Sequence, residues 1–365
     1  MTIQPAADQR FMAAALALGR RGFGQCWPNP AVGCIIVGDG IIVGRGWTQP
    51  GGRPHAEAEA LRQAGTKARG ATVYVTLEPC AHHGQTPPCA NALIEAGIAR
   101  AVIAVEDPDP RVDGRGIDLL KAAGIEVELG IGAEAAALDL AGFISRITAG
   151  RPLFTLKTAT SLDSRIALAD GSSKWITEPS ARAAGHALRA SHDAILIGRG
   201  TAEKDNPRLD TRLPGLGHRS PIRILLDTNL TIPADSKLGS TGGEQPLWIM
   251  HQHGADTAPW QGMGAELIAL DVLDPKAIAT ELASRGLTRV LIEGGGEVAA
   301  SFLEAGLIDR LEWFRAGKIL GADARAGIGL LDLEYLDRAP RFQRHSVHAL
   351  GRDSWERYVR IRDTG

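Results

Sequence analysis

Short β-branched apolar runs alternate with stretches of helical periodicity along this chain, and the alternation restarts once, after TAGRP at 148–152. Alternation of this kind specifies an α/β protein, with helices covering the faces of a sheet. A restart after a Gly-Arg-Pro segment specifies a second core. A chain of 365 residues needs one, because single cores stop growing near about 250–300 residues. The expected units are 1–147 and 152–365. In the first, residues 8–21 read as helix, and VGCIIVGDGIIVGRGW at 32–47 reads as a β-hairpin around Gly38-Asp39-Gly40. HAEAEALRQAG (55–65) is a helix ending in glycine, ATVYVTLEP (71–79) a strand, CANALIEAGI (89–98) a helix and ARAVIAVEDP (99–108) a strand. GIDLLKAAGIEVEL adds a helix and a strand, which makes an α/β sandwich of β-α-β units. The second unit reads as strand LFTLKTA, helix 179–190, strands DAILIG, PIRILLD and PLWIM, helix 275–285, strand RVLIEGG, helix EVAASFLEAG and a strand over 310–320. RLPGLGHRS and STGGEQP read as surface loops.

Composition removes several functional classes. With 40 basic and 42 acidic residues and a net charge of −2, no basic excess points to nucleic acid. No apolar stretch approaches the ~20 residues that cross a bilayer. The early run AAALALG lacks a basic segment before it and reads as an amphipathic helix, not a signal peptide. Four cysteines in a chain this long do not make a disulfide scaffold. The expected compartment is the reducing cytoplasm, where thiols are free to bind metal.

Those thiols matter. Pro54-His55-Ala56-Glu57 opens a helix, Pro79-Cys80 ends a strand, and Cys89 opens another helix. Imidazole plus two thiolates suits Zn²⁺ in tetrahedral geometry, and three protein ligands leave the fourth position for water. Thiolates at helix starts are favoured by the helix dipole. Glu57, two residues after His55, stands near the metal without ligating it, where a carboxylate can move a proton. His-x-Glu, Pro-Cys and a further Cys is the layout of zinc nucleobase deaminases. One feature departs from it: eight residues, AHHGQTPP, separate Cys80 from Cys89, where the common form has two. His82 and His83 are rival ligands for a compact structural site, which would leave Cys89 and Glu57 without roles. They otherwise read as lining a substrate pocket. Cys26 and Cys34 carry no partner motif, and Cys34 reads as core.

WPNPAVGCIIV, RPHAEAEALRQAG, ATVYVTLEPCAHHGQTPPCANALIEAGI and EDPDPRVDGRGIDLLKAAGIEV closely resemble the deaminase half of the bifunctional riboflavin-biosynthesis deaminase/reductase family. The resemblance implies hydrolytic deamination of 2,5-diamino-6-ribosylamino-4(3H)-pyrimidinone 5′-phosphate, with one zinc per chain on His55, Cys80 and Cys89 and Glu57 as catalytic proton shuttle. It places Asn29 against the pyrimidine. Trp27 departs from the histidine or tyrosine often found at its position.

The second unit carries a weaker intrinsic signal. VLIEGGGEVAASFLEAG (290–306) is strand, glycine turn and helix, and Gly294-Gly295-Gly296 offers backbone N–H groups at a helix start. GGGEVA satisfies G-x-G-x-x-A, but too little chain follows it for a dinucleotide-binding half. KTATSLDSRIALADGSSKWIT (157–177) and LRASHDAILIGRGTAEKDNPRLDTR (188–212) resemble the reductase half of the same family. The fold that the resemblance implies is an N-terminal cytidine-deaminase-like α/β/α sandwich plus a C-terminal dihydrofolate-reductase-like α/β domain. The resemblance further implies NADPH as the second cofactor, lined by Ala159, Trp175, Thr201 and Asp205, with Gly295, Gly296, Glu297, Val298, Ala299, Ala300 and Ser301 as phosphate turn and helix start. It implies that Ser173, Arg189, Leu209, Arg212 and Glu293 hold the ribosylamino-pyrimidine. Arg189 and Arg212 suit a substrate phosphate. Lys157, unusual on an apolar strand, contacts substrate or pairs with an acid such as Asp163. Ser164 replaces the glycine usual after Leu-Asp, and Asn206 replaces a second aspartate. The expected partner is therefore a small pyrimidine ribosyl phosphate, without nucleic acid or membrane, and such folds often form homo-oligomers. Two rival readings are a zinc deaminase for another base fused to an unrelated reductase, against which the HHG…TPPC insert speaks, and a zinc-stabilised scaffold, against which Glu57 speaks.

Overall fold

The computed structural model describes residues 4–82, 87–173 and 176–361. Its contacts divide the chain into two units, Met1–Arg151 and Pro152–Gly365.

In the first unit, α1 (Gln4–Gly19) leads into a hairpin of β1 (Gly33–Gly38) and β2 (Ile41–Trp47). There follow α2 (Ala56–Ala64), β3 (Thr72–Val75), α3 (Cys89–Glu95), β4 (Arg100–Ile103), α4 (Arg115–Ala122), β5 (Glu126–Leu129) and α5 (Ala133–Ala149). Among the described residues the strands lie in the order β2-β1-β3-β4-β5. β1 runs antiparallel to both neighbours, and β3, β4 and β5 are parallel. Helices cover both faces. A side chain at Gly33 would collide with the Ala15 carbonyl of α1, and one at Gly46, beside Cys34, with the Ala56 carbonyl of α2. Ile36, Val73, Val75, Ala101 and Ile103 fill the core between the layers.

Two boundaries differ from the sequence reading. β3 ends at Val75, not at residue 79. The Thr76 hydroxyl accepts the Gly33 N–H and the chain then leaves the sheet, so Cys80 sits on irregular backbone rather than at a strand end. The segment TAGRP is not a free linker either: α5 runs through Thr148 and Ala149 and stops at Gly150, whose φ of 62° only glycine adopts cheaply.

The second unit begins with β6 (Leu153–Thr160), β7 (Arg165–Ala167), α6 (Pro179–Ala190), β8 (Ala194–Gly198), α7 (Arg199–Asp205), β9 (Ile222–Leu226) and α8 (Lys237–Ser240). It continues with β10 (Leu247–His251), β11 (Ala265–Ala269), α9 (Pro275–Ser284), β12 (Arg289–Ile292), α10 (Gly296–Glu304) and β13 (Ile308–Arg315). β14 (Arg325–Ala326), β15 (Phe342–Leu350) and β16 (Asp353–Arg360) complete it. Among the described residues the main sheet has the order β11-β10-β9-β8-β12-β6-β13-β16-β15, and β14 pairs with β7 apart from it. The strands from β11 to β13 are parallel, and the β15–β16 hairpin adds an antiparallel edge. The last strand expected from the sequence, at 310–320, starts and ends earlier, as β13.

Ser164 holds φ at +63°, the conformation for which glycine is the usual residue. Its carbonyl accepts the Gly327 N–H, so the turn is retained despite the serine. Asn206, at φ +40°, caps α7 in the left-handed region that asparagine tolerates, and its side-chain oxygen accepts the Lys237 N–H.

His192 is buried beneath β6. Its Nδ1 bonds the Leu188 carbonyl, and its Nε2 bonds the Thr155 hydroxyl. A carbonyl only accepts, so Nδ1 carries a proton. Burial lowers its pKa to about 3 from the ordinary 6.5. Below pH 6.5 the unfolded chain binds a proton that the folded unit refuses, so stability falls as pH drops from 6.5 toward 3. His192→Asn removes this term. The denaturation midpoint of the second unit is expected to change less between pH 6.5 and 4.5 in the variant than in the parent, by urea unfolding at each pH.

Candidate active site

His55 caps α2, and Glu57 lies in that helix's first turn. Cys80 lies on the segment that leaves β3, and Cys89 is the first residue of α3. Cys89 thus has the helix-start position expected of it. The three ligand atoms come within 4.8 Å of one another. His55 Nδ1 is 3.7 Å from Cys80 Sγ and 3.4 Å from Cys89 Sγ. Tetrahedral zinc with its ordinary bond lengths separates a nitrogen and a sulfur ligand by about 3.6 Å. The donor set therefore fits zinc in both chemistry and spacing. The Cys89 N–H donates to Cys80 Sγ at 3.3 Å, which fixes the orientation of that sulfur. Among the described residues this is the group of His, Cys, Asp and Glu side chains in metal-holding reach. His82 lines the cleft beside it rather than joining it, and His83 lies outside the described residues.

The cleft beside these ligands encloses about 130 Å³ and opens to solvent. Glu57, 4% exposed, stands in its wall. Burial pushes the Glu57 carboxyl up to about 7, with the His55 charge opposing. The Cys89 thiol, with His55, holds the Cys80 thiol down at about 4. Sharing a proton with Cys80, together with burial, pushes the Cys89 thiol far up. Zinc requires both as thiolates. Asn29 also lines the cleft, its Nδ2 donating to the Gly52 carbonyl at 2.9 Å. Residues without an expected role complete the wall: Glu78, Asp107, Asp109 and Arg111. The last three fall in EDPDPRVDGRG, so the acidic run before a glycine pair was the available signal.

In the second unit Glu293 follows β12, and its carboxylate accepts Arg189 Nε at 2.8 Å, Arg189 Nη2 at 3.0 Å and Lys157 Nζ at 3.4 Å. Burial alone would raise this carboxyl, but Arg189 and Lys157 together hold it well below the usual carboxylate range. Lys157 thus pairs with Glu293, not with Asp163. The Asp163 carboxylate instead takes the Ser161 hydroxyl and the Leu320 and Gly321 N–H groups. Arg189 Nη1 also donates to the Asp210 carbonyl, and the Arg212 N–H donates to His186 Nδ1. These bonds tie the 209–212 segment to α6. Leu209 in that segment is buried at φ +58°, a strained backbone for a leucine. The Arg212 guanidinium is two-thirds exposed. Ser173 is half-buried on irregular backbone, and Trp175 lies outside the described residues.

The expected NADPH residues that are described lie on α7, at the start of α10 and on β6. The Gly295 N–H donates to Thr201 Oγ1 at 3.0 Å, joining the first turn of α7 to the cap of α10. Gly296 through Ser301 form the start of α10, Asp205 ends α7, and Ala159 lies on β6. A glycine-lined helix start suits the phosphates of a dinucleotide, so the residues fit that cofactor.

Fold and sites together define a zinc-dependent deaminase followed on one chain by an NADPH-dependent reductase. The family model of the cytidine and deoxycytidylate deaminase zinc-binding region matches residues 5–105, and that of the RibD C-terminal domain matches 152–354. The riboflavin biosynthesis protein RibD of Escherichia coli is 41% identical over 95% of this chain and 97% of its own length. That of Aquifex aeolicus is 39% identical over 95% and 96%. The solved structure of Acinetobacter baumannii RibD, form 1, superposes with a TM-score of 0.90 at 37% identity, over 98% of this chain and all of that one. A diaminohydroxyphosphoribosylaminopyrimidine deaminase/5-amino-6-(5-phosphoribosylamino)uracil reductase from Thermotoga maritima does so with 0.88 at 33% identity, over 98% and 99%. The chain belongs to the RibD family, the bifunctional deaminase/reductases of riboflavin biosynthesis.

Zinc content tests the donor set. Purified parent protein is expected to carry one zinc per chain by elemental analysis. His55→Ala, Cys80→Ser and Cys89→Ser are each expected to lower metal affinity at least about 100-fold and to lose deamination. NADPH-dependent reduction of deaminated substrate is expected to persist.

Proposed function

We propose that the first unit removes one amino group of 2,5-diamino-6-ribosylamino-4(3H)-pyrimidinone 5′-phosphate as ammonia. The second then reduces the ribosyl group with NADPH to give 5-amino-6-(5-phosphoribitylamino)uracil. The observation that carries the first assignment is the buried Glu57 carboxyl beside His55, Cys80 and Cys89, because a structural zinc site needs no carboxylate there. The substrate is supported by the Thermotoga maritima relative, whose name specifies it.

Zinc held by His55, Cys80 and Cys89 supplies Lewis-acid activation of a water molecule. Glu57 holds the proton that this water gives up and returns it to the departing nitrogen. Its carboxyl, buried in the cleft wall beside the three ligands, is placed to do both. Asn29, oriented by its bond to the Gly52 carbonyl, offers an amide to the pyrimidine edge. In the second unit NADPH supplies the hydride. Thr201 and Gly295 fasten together the helix starts that hold the cofactor's phosphates. Glu293, kept anionic, aligns Lys157 and Arg189, and the exposed Arg212 guanidinium meets the substrate phosphate. Thiol ligands also suit a reducing compartment, for which we infer the cytoplasm. Among the described residues no helix is long and apolar enough to cross a membrane.

Two substitutions separate the halves. Glu57→Gln is expected to keep zinc and lose about 10²–10⁴-fold in deaminase kcat, with the reductase step unchanged. Arg189→Lys keeps the charge and loses the fork. It is expected to raise the reductase KM for the pyrimidine at least about tenfold, with the KM for NADPH and the release of ammonia unchanged. Steady-state assays of ammonia and NADPH oxidation read both.

A further inference from the structure

Glu78 is 3% exposed and sits two residues before Cys80. Its carboxylate accepts four backbone N–H groups. Oε1 takes Gly116 at 2.8 Å and Ile117 at 3.2 Å, and Oε2 takes Gly114 at 3.1 Å and Asp107 at 3.2 Å. Gly116 and Ile117 lie in the first turn of α4, whose N–H groups have no partner within the helix, and the cap residue Gly114 has no side chain to serve them. Asp107 lies at the other end of the same segment. One carboxylate therefore closes the loop 107–117 at both ends. All four of its lone-pair positions are used, which leaves none for a substrate or a proton in transit.

The loop so closed is one wall of the deaminase cleft, and its interior is wired from the same clamp. The Asp107 side chain accepts the Asp109 N–H at 2.9 Å, and Asp109 accepts the Arg111 N–H at 2.9 Å. The Asp109 carboxylate also holds Arg111 Nε and Nη2 in a two-pronged ion pair. Asp109 and Arg111 both face the cleft. A Cβ at Gly116 would lie 2.0 Å from the Pro79 carbonyl, so the start of α4 seats directly on the residue between Glu78 and Cys80.

We propose that Glu78 is a positioning residue for deamination: it fixes the 107–117 loop so that Asp109 and Arg111 meet the polar substrate in register with the metal ligands, and it touches neither substrate nor metal itself. This rests on the cleft being the deaminase site. The consequence is a role in substrate binding more than in turnover.

The test uses the full-length, zinc-loaded protein with the diaminopyrimidine ribosyl phosphate. Glu78→Gln keeps one oxygen but places an NH₂ against two N–H donors. It is expected to retain one zinc per chain and the reductase rate, to raise the deaminase KM at least about tenfold, and to change kcat less than about threefold. Amide hydrogen exchange at Gly114, Gly116 and Ile117 is expected to accelerate. Gly116→Ala wedges the same contact apart without altering the carboxylate, and is expected to reproduce the KM effect. Asp109→Ala is expected to raise KM in the parent and to add little in the Glu78→Gln background. Should Glu78→Gln fail to fold, the Gly116→Ala and Asp109→Ala pair decides. Unchanged KM in the folded variants overturns the proposal, as does a fall in kcat at constant KM, or loss of zinc. A parent protein that binds zinc but releases no ammonia overturns the assignment of the cleft instead.

Discussion

The deaminase site hangs on one contact, the backbone-to-backbone approach of α2 to β2. A Cβ at Gly44 or Gly46 would lie 2.2 or 2.0 Å from the carbonyls of Ala60 and Ala56, so the helix lies as close as two main chains allow. His55 at the helix cap and Glu57 in the first turn take their places from that approach. Cys80 and Cys89 arrive on the segment leaving β3 and at the start of α3. The ligands converge because close-packed layers hold those ends together, and a packed interior does not yield by the ångström that a side chain at Gly46 would demand.

Three carboxylates with little exposure are settled in three ways, and each solution suits the role proposed for it. Glu57 has burial as the dominant influence, which raises its carboxyl and suits the proton-carrying role proposed for it. Glu293 is placed between Arg189 and Lys157 and stays ionised, which makes it a fixed anchor for two cations. Glu78 spends every lone pair on backbone N–H groups and organises a loop. A buried acid needs compensation; the kind of compensation separates a proton carrier from a strut.

Much of the first site was legible in the sequence because its residue types are chemically distinctive. His-x-Glu followed by two Pro-Cys pairs admits few uses, and local signals such as the glycine after Ala64 or the Asp39-Gly40 turn mark their elements well. The partners of Glu78, by contrast, stand 29 to 39 residues away, and Glu293 meets Lys157 across 136. Pairing at such range is set by topology, which no local pattern encodes, so the sequence offers Lys157 only the substrate or a nearby acid such as Asp163. The helix α5 and the β15–β16 hairpin carry weak sequence signals for different reasons. AEAAALDLAGFISRITA runs into the unit boundary, where a break was expected. FQRHSVHAL lies on the sheet edge with most of its side chains half or fully exposed, so no apolar alternation marks it as strand.

The central claim is that one chain carries two consecutive reactions, hydrolytic and then reductive. The most direct measurement follows the diaminopyrimidine ribosyl phosphate by mass spectrometry with purified protein, first without and then with NADPH. One amino group is expected to leave as ammonia without NADPH, and two hydrogens to be gained only after NADPH is added, with matching NADPH oxidation. Reduction of the still-aminated substrate, or no loss of ammonia from zinc-loaded protein, would contradict it.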